Sequence, residues 1–151
     1  MQRARDASVV VAGRTVGRIE RGLVVLVGVA RDDDADDVTK LGAKLAGLRI
    51  FDDGNGRMNR DVAAVGGEVL LVSQFTLQAD TRSGTRPGFS PAAPPDVAEP
   101  RYEALADDLR ARGLTVATGT FGAAMEVRLV NDGPVTIFLD TRERMGAPTW
   151  T

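Results

Sequence analysis

Residues Leu23 to Ala30 read LVVLVGVA, an unbroken apolar run that limits the fold more than any other stretch. Valine dominates it, and β-branched side chains are stiff at χ1 and suit a pleated sheet better than a helix. A bilayer needs about 20 consecutive apolar residues in a helix, so this run is far too short to cross one. A run apolar on both of its faces reads as a strand buried inside a core. Something must therefore cover a sheet here.

The flanking sequence supplies the cover. ASVVVAGRTVGRIE (residues 7–20) reads as two more strands, joined at Ala12-Gly13. After the apolar run comes RDDDADD, and then Val38, Leu41, Leu45 and Leu48 recur at helical spacing. Acidic residues favour the start of a helix through its macrodipole, so the run reads as a solvated helix start rather than a metal site. The helix is expected to end near LRIF. DDGNGR (Asp52 to Arg57) looks like a calcium loop but lacks the loop's length and its terminal Glu, and reads as a hairpin turn.

GGEVLLVSQFTLQAD (Gly66 to Asp80) is a strand running into a polar end. The next twenty residues, TRSGTRPGFSPAAPPDVAEP, hold five of the seven prolines. That composition marks an irregular surface loop, long enough to suspect function. Pro100 is expected to open a second helix, with Tyr102, Leu105, Ala106 and Leu109 on one face and Gly113 as its stop. A Gly-rich bend then leads into a last strand pair, Met125 to Val130 and Val135 to Leu139, with Asn131-Asp132-Gly133 as the turn between them. There is no internal repeat and no interdomain linker. The order β-β-β-α-β-loop-α-β-β predicts a single α+β domain, a strongly curved antiparallel or mixed sheet with two packed helices.

Composition narrows the chemistry. The chain has 151 residues, enough for one domain with a real core, and contains no Cys and no His. Without them there is no Ser-His-Asp triad, no thiol nucleophile and no thiolate or imidazole metal site. A general base must be a carboxylate, a Lys, an α-amine or the substrate itself. The absence of Cys and of a secretory h-region points to an intracellular, cytoplasmic setting with no membrane association. A net charge of −2 argues against wrapping long nucleic acid, though not against gripping a short end.

Two short motifs remain. SQFTL (Ser73 to Leu77) on its own reads as a strand terminus with hydroxyl caps. NDGPVT (Asn131 to Thr136) reads as a tight turn with an awkward proline, and an X-Pro bond is cis in only ~5–6% of folded cases. Taken together with ADTRSGTRP, LRIFDD, GRMN, GGEVLLVSQFTL and FGAAM, in this order along nearly the whole chain, they resemble the D-aminoacyl-tRNA deacylase family. Its members are editing enzymes, carboxylic ester hydrolases that release D-amino acids from tRNA.

The resemblance implies a homodimer of a compact, β-barrel-like α+β fold spanning residues 1–141, and neither a cofactor nor a metal. It leaves 142–151 as a C-terminal tail, expected to be poorly ordered. In family members several residues precede the Gln-Arg pair and form the first strand. Here only Met1 precedes Gln2-Arg3, so that strand is expected to be shortened, or the start to be misassigned. The resemblance assigns Ser73, Gln74, Phe75 and Thr76 to the aminoacyl pocket, with Gln74, Phe75 and Thr76 at the catalytic centre. Phe121 and Met125 correspond to residues beside the terminal adenosine of tRNA, where an aromatic face and a thioether suit a purine. Gly133 and Pro134 correspond to a Gly-cisPro motif that enters the partner subunit's pocket, and Arg3 lies near it. From their charge, Arg82 and Arg86 could meet phosphates of the acceptor end, or simply face solvent.

The implied mechanism suits a chain poor in bases. The ribose 2′-hydroxyl next to the ester orients or activates water, and backbone N–H groups near Phe75 and Thr76 hold the carbonyl oxygen. L-residues are rejected by fixed backbone, so glycyl-tRNA, including glycine mischarged on alanine tRNA, is expected to be a substrate too. Two other readings stand beside this one. One is a relative that removes L-alanine through a trans Gly-Pro; the other is a non-catalytic module that binds RNA ends.

Overall fold

A computed structural model describes residues 1–142; residues 143–151 of the expected tail lie outside the described residues. The two strands expected from the N-terminal pattern form: β1 (Gln2–Val11) and β2 (Arg14–Val27) pair antiparallel. Ala12 and Gly13 between them both take positive φ, 48° and 77°, as a two-residue turn matched to the strand twist requires. The apolar run is not a third strand but the second half of β2. Gly22 makes that continuity possible, since a Cβ there would stand 1.8 Å from the Glu68 carbonyl oxygen. The neighbouring backbone approaches too closely for any other residue.

Asp34 caps helix α1 (Ala35–Gly47), its carboxylate accepting from the N–H groups of Asp36 and Asp37. The acidic run is thus a helix start. The hairpin at Asp52 also forms, between β3 (Phe51–Asp52) and β4 (Met58–Arg60). Its carboxylates are occupied by the turn: Asp52 accepts from Gly54 and Gly56, Asp53 from Asn55 and Arg57.

Strand β5 (Glu68–Ser73) lies parallel to β2, and β6 (Val116–Thr118) lies parallel to β5. Parallel neighbours require crossovers, and α1 and α2 (Pro95–Ala111) provide them. Helix α2 starts five residues before Pro100, the expected opener. Pro95 takes the first helical position, where a missing N–H costs nothing. Pro100 sits inside, and the buried face of Tyr102, Leu105, Ala106 and Leu109 holds the helix across it. Gly113 stops it as expected, at φ 87°.

The last strand pair is a correction. A single strand, β7 (Glu126–Thr136), runs through Asn131-Asp132-Gly133-Pro134 and pairs with β1 on both sides of it. Ala4 faces Asn131 while Gln2 faces Thr136, so two steps of β1 oppose five of β7. The surplus is pushed out of the sheet as a bulge. Gly-Pro therefore marks an excursion from one strand, not a hairpin between two.

The sheet order is β6-β5-β2-β1-β7. It is mixed and open within the protomer, so the barrel-like closure is not made. The short β6 and the long β7 are joined by the non-strand segment 119–125 instead of a ladder. The second half of β2 and most of β5 are buried on both faces, as the apolar run demands. Leu23, Val25, Val69 and Leu71 face Leu45, Leu105 and Leu109 of the helices. Val24, Leu70 and Val72 face Ala4, Val9 and Ile19 inside the curve of the sheet. Burying a side chain of this size contributes about 1.5–3 kcal/mol, so these two clusters dominate the fold's stability. No helix among the described residues is long and apolar enough to cross a membrane.

Candidate active site

Strand β5 ends where its alternation breaks. Gln74 N–H still donates to the Val27 carbonyl at 2.7 Å. The backbone then tightens into a 3-10 turn over Phe75–Gln78. The turn swings the Phe75 ring into the open, 58% exposed. Gln74 donates through its amide to the Thr76 hydroxyl. A polar strand end in the middle of a sheet thus becomes a ledge.

The ledge faces a cavity of about 610 Å³. Ser73, Gln74 and Phe75 line it together with Phe121 and Met125, and Phe89, Ala93 and Tyr102 are among its other walls. Five of the expected site residues therefore meet around one hollow, although some fifty positions separate Ser73 from Met125. Thr76 is not in the lining. The hollow is dry in character: among its lining residues only Arg31 and Tyr102 carry ionisable groups. Burial pushes the Tyr102 phenol up to about 12, and its O–H donates to the Leu71 carbonyl at 2.7 Å. It therefore stays protonated and engaged at neutral pH. No carboxylate, lysine or imidazole stands ready as a base.

Gly133 and Pro134 are elsewhere. Their peptide bond is cis, and both residues are exposed. They lie eight and nine residues beyond Met125, in the bulge at the far end of β7. Arg3 braces them as expected: its Nε donates to the Asp132 carbonyl at 3.1 Å and its Nη1 to that of Ile50 at 2.7 Å. The Asn131 amide closes the base of the bulge, donating to the Arg3 and Val135 carbonyls, both at 3.1 Å, and accepting from the Thr136 hydroxyl at 2.9 Å.

Arg82 and Arg86 line neither end. Arg82 donates to both carboxylate oxygens of Asp80, at 2.9 and 2.7 Å, which brings the Asp80 carboxyl down to about 2. A second hollow, about 420 Å³, runs between β2 and residues 136–142 and holds none of the expected site residues. Sequence reasoning missed Phe89, Tyr102 and Arg31. Phe89 alone left a signal, as the one aromatic residue in the Pro-rich loop.

A family model described as D-Tyr-tRNA(Tyr) deacylase matches residues 1–140. The chain belongs to that family. A D-aminoacyl-tRNA deacylase of Anaeromyxobacter dehalogenans is 59% identical over 142 residues, which are 94% of this chain and 95% of that protein. One of Geobacillus sp. is 53% identical, covering 97% of this chain and 96% of its own length. A solved structure of the c-Myc DNA Unwinding Element Binding Protein is 38% identical with a TM-score of 0.86, covering 92% of this chain and 95% of its own. A probable eukaryotic D-amino acid tRNA deacylase, 19% identical at a TM-score of 0.71, covers 85% of this chain and 90% of its own and shares the fold.

Proposed function

We propose that this chain, a hydrolase of the D-aminoacyl-tRNA deacylase family, cleaves the ester linking a D-amino acid to the 3′ end of tRNA. The single observation that carries the reading is the hollow at the end of β5. Family membership supplies the reaction, and the hollow supplies a place for it. It combines hydroxyl and amide groups on a tightly turned backbone with aromatic and thioether walls, which suits an aminoacyl ester joined to a purine nucleoside. Phe121 and Met125 flank the adenosine, and the ledge from Ser73 to Phe75 receives the aminoacyl group.

The cavity's lack of bases supports a substrate-assisted reaction. The 2′-hydroxyl of the terminal ribose activates or orients water, and N–H groups of the Phe75 turn hold the carbonyl oxygen as charge develops on it. The products are the free amino acid and tRNA. Such work belongs in the cytoplasm, where charged tRNA is made.

Selection against L-residues needs a rigid obstacle at the cavity, and the Gly133–Pro134 bulge is the candidate. It is too far away to serve its own protomer, and its exposure suits entry into the hollow of a second copy. The functional unit is then a two-fold homodimer with two equivalent sites. Rejection by backbone penalises an L side chain and ignores its absence, so glycyl-tRNA, including glycine on alanine tRNA, is a substrate as well. The test is incubation with D-tyrosyl-tRNA and L-tyrosyl-tRNA. Release of the D form alone supports the reading. Preferential release of L-alanine from alanyl-tRNA, or binding without turnover, rejects it.

A further inference from the structure

Two side chains at the mouth of the cavity have no role in the scheme above. Phe89, in the Pro-rich segment before α2, is 36% exposed. Its ring meets the Phe75 ring edge-on, with centroids 5.0 Å apart and planes at 69°. Neither ring belongs to a buried core cluster. Two adjoining aromatic rings left partly open at a cavity mouth form an apolar surface that a ligand would cover.

Arg31 stands beside them. Its backbone N–H donates to the Pro91 carbonyl at 3.1 Å and its Nε to the Ser90 carbonyl at 2.5 Å. Ala30 bridges to Ala92 just behind it. The guanidinium is therefore anchored to the residue next to Phe89 through one nitrogen, and it makes no ion pair among the described residues. The neighbouring carboxylates are engaged elsewhere: Asp32, Asp33 and Asp37 pair with Arg142, and Asp33 also accepts from Ala30 N–H at 2.7 Å. A pre-positioned cation whose two terminal nitrogens have no hydrogen-bond partner among the described residues matches the geometry of a phosphate.

We propose that Phe89 and Arg31 form the outer half of the nucleotide site. Phe89 lies against the terminal nucleoside, and Arg31 takes the 5′-phosphate of that same nucleotide. An aromatic face with a guanidinium next to it is what an unpaired RNA end needs: a π-surface for the base and a fork for its backbone. The proposal rests on the reading of the cavity as the site for charged tRNA.

The test compares two substrates that share the ester: D-tyrosyl-tRNA, and the D-tyrosyl ester of adenosine, which carries no phosphate. Phe89→Ala should raise KM on both by ~5–150-fold, the worth of one stacked base, and Phe89→Tyr should restore it. Arg31→Ala should raise KM on the tRNA by ~10–100-fold, as loss of a charge-assisted contact does, with kcat little changed. On the adenosine ester it should stay within about twofold of the parent, and Arg31→Lys should recover part of the loss on tRNA. Equal effects of Arg31→Ala on both substrates would mean that it only holds the loop, and would overturn the phosphate assignment. Phe89→Ala with unchanged KM on both substrates would overturn the stacking assignment. A parent inactive on D-tyrosyl-tRNA would sink the reading of the cavity and this inference with it. An active parent with indifferent variants would sink this inference alone.

Discussion

The hollow beside Ser73 and the projection at Gly133 occupy opposite ends of β7, and they are held by different means. The hollow draws its walls from the end of β5, the Pro-rich loop, α2 and the bend before β7. Its floor, Tyr102, belongs to the main core. The projection is contained within residues 131–136 plus Arg3, and is braced by hydrogen bonds and by Asp132 ion pairs to Arg3 and Arg5 at 3.3 and 3.4 Å. One is a product of the whole fold, the other of a few local contacts on its surface. The difference teaches that an apolar concavity needs the full core behind it, whereas a rigid protrusion needs only a closed base. Under the proposed function, each is completed only by a second copy of the chain.

Four experiments would break or sharpen that comparison. The largest effect should come from the substrate. A tRNA ending in 2′-deoxyadenosine should react slower by on the order of 10²–10⁴-fold or more, the range of a lost general base, because the hollow offers none of its own. Single-turnover rates on the two tRNAs check this, and equal rates would place the chemistry on the protein.

Next comes complementation between the two ends. Phe121→Ala damages the hollow and Gly133→Val the projection, where even a Cβ would meet Arg3 Nη2 at 2.9 Å and Val135 Cγ2 at 2.8 Å. Each variant alone should edit poorly. Unfolded together and refolded as an equal mixture, they should regain about a quarter of the parent's selective activity, since half the dimers then carry one intact site. No recovery in a mixture that demonstrably forms mixed dimers would confine the site to one chain.

Stability should separate the two regions more gently. Leu105→Ala, behind the hollow, should cost ~2–5 kcal/mol by denaturant unfolding, while Tyr102→Phe should cost ~1 kcal/mol for its lost bond to Leu71. The Tyr102 phenol titrates near 10 when unfolded and near 12 when folded. Its contribution is therefore complete below about pH 10 and lost as pH rises toward 12, a decline that Tyr102→Phe should lessen. The smallest effect belongs to Thr76→Ala. Its hydroxyl bonds Gln74 and does not line the cavity, so kcat should stay within about threefold of the parent; a loss of 10²-fold would place catalysis on its side chain.

Much of this was legible in the residues. Asp34 announced a helix start, and the face of Tyr102, Leu105, Ala106 and Leu109 is the buried face observed. Ala12-Gly13 marked its turn. The misreadings have one cause. The break expected before Leu23, where Gly22 sits, and the turn expected at Asn131-Asp132-Gly133 both proved to lie within continuous strands. A glycine's local permissiveness does not say whether the chain turns there or merely lets a neighbour approach. Pro100 misled in the same way, because a proline can end, start or sit inside a helix according to what its other face buries.

By itself, the sequence determined that strands would be buried on both faces, that two helices would cover them, and that no histidine or thiol could carry the chemistry. Motif order sufficed to name the family. Only the tertiary structure decided that the sheet stays open, that Ser73 and Met125 share a hollow while Gly133 stands far from it, and that Arg31 is anchored beside Phe89. Periodicity is a property of neighbours along the chain, and it records which face is apolar. Which distant faces meet depends on crossover and register, set by the packing of the whole core, and no short window of residues contains that information.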